Sequence, residues 1–525
     1  MTLTSVRTSA RRAVWMLGAS LALSVAIPQP ASAQPSGQTP PTSCEELASV
    51  ALPHARITTA QQVAAGAFVA PAPPPFPVPA SFDRMPAFCR VAATITPVAG
   101  SEIKIEVWLP RENWNGKFVG VGNGGFSGAI WYFAMAEPLQ LGYAVAATNT
   151  GHDGDQADAS FAIGHPEKLA DFAWRAVNEM TVKAKAIIAA HYGRTPRHAY
   201  WVGCSTGGRQ GLKEAQRFPA DYDGIVAGAP ANNWIPLMAH AVAVQRAMTD
   251  STIALTPRHL SLLKAAAIAA CDANDGVTDK VVEDPRRCSF DPASLACKGA
   301  NAQDCLTPRQ LAAVRSLYAG VVHPRTGATL MPGPTPGGEP EWVAFTPGIF
   351  PIGANYFRDV VMRDASWRTA TMDPDRDLVR ALAADSADIT AMDADLGEFF
   401  GRGGKLLLWH GWTDGMIPAR STIEYYERVL AASGREARDA LRLFMLPGVD
   451  HCSGGEGAYV FDALQVIDAW VERGQAPDRI VARRPVRDGA PRTRPICSYP
   501  MIARYRGTGS TDEERNFECG MPAAR

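Results

Sequence analysis

An α/β fold with a mostly parallel sheet is the class that this 525-residue sequence predicts. Short apolar runs typical of buried strands alternate with helix-compatible segments between about residues 103 and 231, and again after about residue 402. Such alternation is typical of parallel strands joined by crossover helices. Residues 232–401 lose this rhythm and carry many prolines, which indicates a large insertion into the core. We therefore expect a core of residues 34–231 and 402–525 interrupted by an inserted domain at 232–401, called the lid below.

The composition is that of a soluble globular protein with an ample core. The formal net charge is −1, with 46% hydrophobic and 20% charged residues. A balanced charge gives no reason to expect binding to nucleic acid or another polyanion. Beyond the N-terminus, no stretch is long and apolar enough for a membrane span.

The N-terminus has the features of a secretory signal peptide. Three arginines precede an apolar run at 13–27, and a small Ala-Ser-Ala site follows at 31–33. A membrane anchor is the alternative, but the run is short for a span, and prolines 28 and 30 end it. The sequence therefore predicts a signal peptide at 1–33 and a secreted or periplasmic mature protein.

Ten cysteines follow this segment, and an even number in an exported chain predicts disulfides. Sequence alone does not fix their connectivity. Closeness along the chain suggests four pairs and leaves Cys204 and Cys452 for each other. The four local pairs are Cys44–Cys89, Cys271–Cys288, Cys297–Cys305 and Cys497–Cys519.

The two core stretches supply their elements in a regular order. Predicted strands cover 103–109, 117–121, 143–148, 199–202, 225–227, 405–409 and 441–446, and predicted helices cover 169–192, 421–430 and 461–471. The strand 117–121 runs into Gly122-Asn123-Gly124-Gly125-Phe126. A phosphate loop is one interpretation of these glycines, but the Gly-Lys-Ser/Thr ending is missing. The position after an early strand matches the oxyanion-hole loop of α/β-hydrolases instead.

A Gly-x-Ser-x-Gly motif lies between a predicted strand and a predicted helix, with Ser205 at its centre. This context is that of a nucleophile elbow, in which a strained turn exposes the serine and small neighbours avoid a collision between strand and helix. The alternative is a glycine-rich turn with an idle serine. Cys204, directly before the serine, is the unusual feature of the motif.

A serine nucleophile needs a base and an acid that orients the base, and in α/β-hydrolases both follow late strands in the order Ser, Asp, His. Asp414 follows the strand 405–409, and His451 follows the strand 441–446. We therefore predict Ser205, Asp414 and His451 as a catalytic triad. Asp450 is a poorer acid because adjacent loop side chains rarely face each other.

Two other histidines compete for the role of base, namely His152 and His410. We predict instead that His410 lines the substrate pocket, together with Trp412 and Ile417 beside the acid. The aromatic lid residues Tyr356, Phe357 and Trp367 are candidates to stack on an aromatic acyl group, although such residues more often form core.

The Cys-Ser, Asp, His-Cys pattern resembles the tannase/feruloyl esterase family over nearly the whole mature chain. That family includes tannases, feruloyl esterases and mono(2-hydroxyethyl) terephthalate hydrolase. The resemblance implies an α/β-hydrolase core, the triad named above, and an oxyanion hole formed by the backbone N–H groups of Thr206 and of Gly125 or Gly124. It also implies the five disulfides suggested by closeness, and a small-molecule ester of an aromatic acid as substrate.

The segment 271–281 of the lid is acidic, carries one glycine and supplies hard oxygen donors, which suit calcium. It is not an EF-hand, because the glycine comes one position early. By resemblance, the ligands are the carboxylates of Asp272, Asp275 and Asp279 and the carbonyls of Val277 and Val281. Calcium would be structural here. The alternative is a solvated turn.

The sequence thus predicts a serine esterase that hydrolyses esters of aromatic acids of the phenolic or cinnamic type. A terephthalate half-ester hydrolase is the nearest alternative. A serine peptidase of the same fold would need a propeller or an acidic cluster that reads a peptide N-terminus, and neither is evident. A catalytically idle, calcium-dependent binding protein would require the triad to be coincidental. No pattern in the sequence indicates an oligomeric state.

Overall fold

The structure is a computed structural model that describes residues 41–71, 82–299, 304–385, 387–485 and 491–522. The predicted signal peptide at 1–33 lies outside these residues. The strands are β1 (Ala55–Val63), β2 (Phe88–Ile95), β3 (Ile103–Pro110), β4 (Lys117–Val121), β5 (Ala144–Thr148), β6 (His198–Cys204), β7 (Gly224–Gly228), β8 (Val321–Val322), β9 (Thr329–Met331), β10 (Lys405–Gly411), β11 (Leu441–Leu446), β12 (Arg479–Arg484), β13 (Arg492–Cys497), β14 (Ile502–Tyr505) and β15 (Phe517–Gly520).

Nine of the described strands form one sheet in the order β1-β2-β3-β5-β4-β6-β7-β10-β11. The six strands from β5 to β11 in that order pair in parallel, whereas β1, β2 and β3 are antiparallel at one edge. The carboxyl ends of the parallel strands therefore lie along one edge of the sheet, which is where ligands bind in open α/β sheets.

Twelve α-helices are described. They are α1 (Tyr132–Gln140), α2 (Pro166–Ala170), α3 (Ala176–Tyr192), α4 (Thr206–Arg217), α5 (Trp234–Thr249), α6 (Pro257–Cys271), α7 (Pro308–Ala319), α8 (Ile352–Asn355), α9 (Val379–Ala383), α10 (Gly397–Gly401), α11 (Ala419–Ala440) and α12 (Ala463–Arg473). A π-helical turn at Asp171–Arg175 joins α2 to α3. The helix predicted at 169–192 is therefore the C-terminal part of a longer helical segment that begins at Pro166. Gly193, with a left-handed φ of 69°, ends it.

Alternate residues of the central strands pack on opposite faces of the sheet. In β6, Trp201 belongs to a hydrophobic cluster with residues of α3, α4 and α11, whereas Tyr200 belongs to a cluster with residues of α1 and α12. This two-residue period is what a strand covered on both faces requires. The predicted α/β class, with helices on both faces of a mostly parallel sheet, is confirmed.

The lid contains α5 to α10 and the short hairpin of β8 and β9, and its apolar residues form a third cluster. Phe126 and Phe172 of the core belong to that cluster. Arg209 of α4 is fully buried at the junction, where it donates to the carbonyls of Ala173 and of lid residue Ile389. The described residues all belong to one compact unit.

Outside the lid, the sequence analysis missed two groups of strands. One is the antiparallel edge of β1 and β2, and the other is the pair of hairpins β12–β13 and β14–β15 near the C-terminus. The chain therefore continues as β-structure after α12, which is the last element that the sequence analysis predicted. Within the described residues, no helix has both the length and the apolar character that crossing a membrane requires.

Candidate active site

Ser205 occupies a strained turn between β6 and α4, as the motif predicted. Its φ of 62° and ψ of −124° are unfavourable for a residue with a side chain. The surrounding backbone holds it there, because Ser205 N donates to Gly228 O at 2.9 Å and Ser205 O accepts from Ala231 N at 3.0 Å. A Cβ on Gly203 would lie 2.5 Å from the carbonyl carbon of Gly207, so this position requires glycine. The elbow geometry is thus present.

The glycine loop after β4 is fixed to the elbow helix. Thr206 Oγ1 donates to Gly125 O at 2.7 Å, and Gln210 Nε2 donates to Asn123 Oδ1 at 2.8 Å. Gly125 has a φ of 56°, and a Cβ there would lie 2.2 Å from Gln156 O. Within the described part of the chain, the backbone N–H groups of Gly125 and Thr206 have no acceptor. Both are therefore available to a ligand, as an oxyanion hole requires.

Asp414 and His451 are brought together from the loops after β10 and β11. His451 Nδ1 lies 2.7 Å from Asp414 Oδ2, and the carboxylate is buried. The other oxygen, Oδ1, accepts from the amides of Met416 at 2.9 Å and Ile417 at 2.7 Å. Burial alone would raise the pKa of Asp414, but the charge of His451 and hydrogen bonds from both neighbouring histidines hold it well below its usual range. The acid is therefore ionised and oriented toward the base.

The environment of His451 favours its charged form. Burial would lower the pKa of His451, but the charge of Asp414, its hydrogen bond and the charge of Glu341 together raise that pKa above the ordinary value. The side chain is 14% exposed, so solvent and substrate can reach it. Stabilising the imidazolium is the task that an acid performs for a catalytic histidine.

Cys204 and Cys452 form a disulfide, with their Cα atoms 6.0 Å apart. Cys204 precedes Ser205 and Cys452 follows His451, so the bond joins the elbow to the loop of the base. Within the described residues, Ser205 Oγ makes no hydrogen bond to His451. Such contacts are often long in free enzymes and tighten when substrate binds. The disulfide nevertheless confines the two residues to one small region.

The other four predicted pairs are also disulfides, and no cysteine in the described residues is free. Pairing by closeness along the chain was therefore correct in each case.

The prediction that His410 binds substrate is wrong. Its side chain is fully buried behind Asp414, and Nε2 faces both Asp414 Oδ2 at 3.0 Å and Ile417 O at 3.1 Å. Two acceptors on Nε2 require that nitrogen to carry a proton, and Nδ1 lies 2.7 Å from the hydroxyl oxygen of Thr422. His410 therefore supports the acid as a second donor.

Trp412 is also misassigned as a pocket residue. It is 2% exposed and belongs to the same hydrophobic cluster as Ala419 and Ile423 of α11, and the guanidinium of Arg286 lies 5.2 Å from its ring centroid. The side chain therefore points into the helical layer. Ile417 packs into the lid cluster, and its contact with substrate stays a prediction.

The aromatic lid residues proposed for stacking form part of the lid core. Tyr356, Phe357 and Trp367 are all buried, and the rings of Phe357 and Trp367 stack with centroids 5.7 Å apart. The rival base His152 is buried as well. It stacks on Phe161, and burial lowers its pKa to about 4, which makes it a poor proton acceptor near neutral pH.

The sequence analysis missed Glu341. It belongs to a 3-10 helix of the lid, Glu339–Phe345, yet its carboxylate lies against both catalytic loops. Oε2 accepts from Gly415 N at 2.8 Å, and both oxygens lie 3.1 Å from His451 N. These contacts span 74 and 110 residues of sequence, and no local motif links such distant positions.

The predicted calcium loop has the right donors, but they are engaged with protein groups. Asp272 accepts from the amides of Asp279 at 3.1 Å and Lys280 at 3.0 Å, and Asp279 also pairs with Arg494. In the described residues, no three or more Asp, Glu, His or Cys side chains converge closely enough to hold a metal ion. The oxygen chemistry of the loop fits calcium, whereas the present side-chain arrangement does not form a coordination shell.

Comparisons with known proteins identify the family of the chain. Residues 89–520 match the model of the family described as tannase and feruloyl esterase. An uncharacterised esterase of Xanthomonas campestris pv. campestris is 38% identical, with 91% of each chain covered. The mono(2-hydroxyethyl) terephthalate hydrolase of Piscinibacter sakaiensis is 34% identical, covering 85% of this chain and 87% of that protein.

The solved structures give the same result. Feruloyl esterase B from Aspergillus oryzae superposes with a TM-score of 0.84 at 31% identity, covering 91% of this chain and 99% of that one. The family match covers most of the sequence, and the likeness of fold extends over lid and core together. This chain therefore belongs to the tannase and feruloyl esterase family and is a carboxylic ester hydrolase.

Proposed function

We propose that this chain is an exported serine esterase that hydrolyses esters of hydroxylated aromatic or cinnamic acids. The observation that carries the proposal is the Asp414–His451 hydrogen bond, tied by the Cys204–Cys452 disulfide to the strained Ser205 turn. The similarity to feruloyl esterase B supports the substrate class. Five disulfides support export, because disulfides persist in oxidising compartments.

In the proposed mechanism, Ser205 Oγ attacks the ester carbonyl carbon while His451 Nε2 accepts the serine proton. The N–H groups of Gly125 and Thr206 stabilise the negative charge that develops on the carbonyl oxygen. The tetrahedral intermediate collapses, and His451 gives its proton to the departing alcohol. A water molecule, deprotonated by His451, then attacks the acyl-enzyme, and His451 returns that proton to Ser205 Oγ as the aromatic acid is released.

Hydrolysis of a terephthalate half-ester is the second candidate. The specific observation in its favour is the 34% identity to the Piscinibacter sakaiensis enzyme. That substrate also presents an aromatic acyl group to the serine, so the same catalytic residues would serve. The two candidates differ in the pocket rather than in the chemistry.

Calcium is the proposed structural ion of the lid. The carboxylates of Asp272, Asp275 and Asp279 and the carbonyls of Val277 and Val281 would hold it. Calcium would neutralise the accumulated carboxylate charge and stabilise the loop that the Cys271–Cys288 disulfide closes. No step of the ester hydrolysis is assigned to it.

The test is a comparison of kcat/KM for methyl gallate, methyl ferulate and mono(2-hydroxyethyl) terephthalate. We expect the protein to hydrolyse at least one of the first two esters, and the Ser205→Ala variant to lose that activity by about 10³-fold or more. Preference for the terephthalate ester would favour the second candidate. Full activity of Ser205→Ala would exclude Ser205 as the nucleophile.

A further inference from the structure

One lid carboxylate reaches the two loops on which the acid and the base are carried. Glu341 accepts from Gly415 N, next to Asp414, and from the backbone N–H of His451 itself. A single side chain of the lid thus accepts backbone hydrogen bonds from both catalytic loops. Removing it would leave two backbone donors without their present acceptor.

The lid backbone approaches the acid loop very closely around Glu341. A Cβ on Gly415 would lie 2.2 Å from Gly338 O, and a Cβ on Gly338 would lie 2.2 Å from Thr413 O. Nearby, Thr335 Oγ1 donates to Trp412 O. This seam of backbone contacts holds Glu341 in place against the core, so its carboxylate is a fixed acceptor.

The contacts of Glu341 separate its role from proton transfer. The carboxylate bonds to the main-chain nitrogen of His451, whereas the imidazole Nδ1 bonds to Asp414. Glu341 therefore determines where the histidine backbone lies, while Asp414 determines how the ring turns. We propose that Glu341 is a positioning residue through which the lid holds the Asp414 and His451 loops in register with Ser205.

This proposal rests on the proposed function, because it concerns the same triad. Burial, followed by the charges of Asp414 and Asp450, raises the pKa of Glu341 to about 8. A glutamine there would keep an acceptor oxygen for the N–H groups of Gly415 and His451 while removing the carboxyl group. The Oε2 position faces both N–H groups, so one amide oxygen can accept from both.

Three variants test the role: Glu341→Ala, Glu341→Gln and the matched control Glu339→Ala. Glu339 is a buried carboxyl of the same 3-10 helix, but it accepts from Gly337 N and Tyr318 within the lid. We expect Glu341→Ala to lower kcat by about 10- to 100-fold through misplacement of the base, with KM within about threefold. Glu341→Gln should restore kcat to within about threefold of the parent.

Glu339→Ala should lower the unfolding temperature and leave kcat within about threefold, which separates positioning from a general loosening of the lid. A spectroscopic readout is the low-field proton NMR signal of the His451–Asp414 hydrogen bond. We expect it to be retained in Glu341→Gln and lost or broadened in Glu341→Ala. A Glu341→Ala variant with unchanged kcat, or a Glu341→Gln variant as impaired as Glu341→Ala, would overturn the proposal.

If Glu341→Ala does not fold, Glu341→Asp is used instead. Its side chain is one methylene shorter, so the carboxylate lies farther from the two N–H groups and kcat should also fall. Unchanged kcat in that variant would overturn the proposal. Ser205→Ala is measured beside these variants. An active Ser205→Ala would refute the proposed function itself, whereas an inactive Ser205→Ala with a fully active Glu341→Ala would refute only the positioning role.

Discussion

His451 is held at three points, and each point has a different consequence. Its ring bonds to Asp414, its backbone N–H bonds to Glu341, and its neighbour Cys452 is linked to the elbow. The first contact orients the ring and raises its pKa, and the other two fix the backbone. A base constrained in this way loses little entropy when it aligns with the serine.

The pH dependence of the reaction follows from the first contact. His451 must be neutral to accept the serine proton, and its pKa is raised above the ordinary 6.5. We therefore expect kcat/KM to be full at higher pH and to fall as the pH drops through a midpoint above 6.5. A pH–rate profile with any of the proposed esters measures this. A midpoint clearly below 6.5 would contradict the assigned electrostatics.

Asp414→Asn tests the identity of the acid. We expect a loss of about 10³- to 10⁴-fold in kcat, because the amide no longer stabilises the imidazolium. The pKa of His451 should also fall, since burial lowers it once the Asp414 charge is gone. The matched control is Asp450→Asn. In the parent protein the carboxylate of Asp450 accepts from Thr413 Oγ1 at 2.8 Å. Equal losses in both variants, measured by steady-state kinetics, would contradict the assignment to Asp414.

For single residues, the sequence predicted the proposed catalytic residues, because they follow apolar strands in a known order. It did not predict the residues that support those catalytic residues. Ser205, Asp414 and His451 each stand in a recognisable local context. Glu341 does not, because its contacts depend on how the lid folds back over the core. His410 was misassigned because the position of a residue beside the acid does not tell which way its side chain points.

Among the elements, the Cys204–Cys452 disulfide joins the end of β6 to the loop after β11 across 248 residues. Replacing both cysteines by serine should lower the free energy of unfolding by on the order of 5 kcal/mol in the chain-entropy model. We also expect kcat to fall by about 10- to 100-fold, because the elbow and the base loop would move independently.

The matched control replaces Cys297 and Cys305, which lie eight residues apart in the lid. That variant should lose less stability, because a short loop restricts the unfolded chain less, and its kcat should stay within about threefold of the parent. Denaturant unfolding and steady-state kinetics measure both effects. Equal kcat in the two double variants would contradict a catalytic role for the tether.

The strands that were predicted correctly are buried, and all of them except β3 pair in parallel, because burial on both faces produces continuous apolar runs. The strand β1 was missed because its burial alternates irregularly and its residues include threonine and glutamine. The hairpin of β12 and β13 was missed for a related reason, since β12 is rich in arginine and only partly buried. Edge strands depend on their partners, and the partner of β1 lies beyond a proline-rich segment.

For the whole molecule, calcium is expected to act on stability. Removing it with a chelator should lower the unfolding temperature, and re-adding calcium, but not magnesium, should restore it. Binding to the folded state contributes about 2.7 kcal/mol when free calcium is 100-fold above Kd. The measurement is thermal unfolding followed by circular dichroism. Asp275→Asn should unfold at the lower temperature with or without chelator, and a parent protein insensitive to the chelator would contradict the calcium site.

The contact between Glu341 and the two catalytic loops has a consequence for engineering this enzyme. Exchanging the lid between relatives is an obvious route to a new substrate range, since the core supplies the proposed triad. A donor lid chosen for the shape of its pocket alone would arrive without an acceptor for the amides of Gly415 and His451. A transplanted lid must therefore bring a carboxylate or amide side chain to this seam, or the hybrid will bind its new ester but turn it over more slowly.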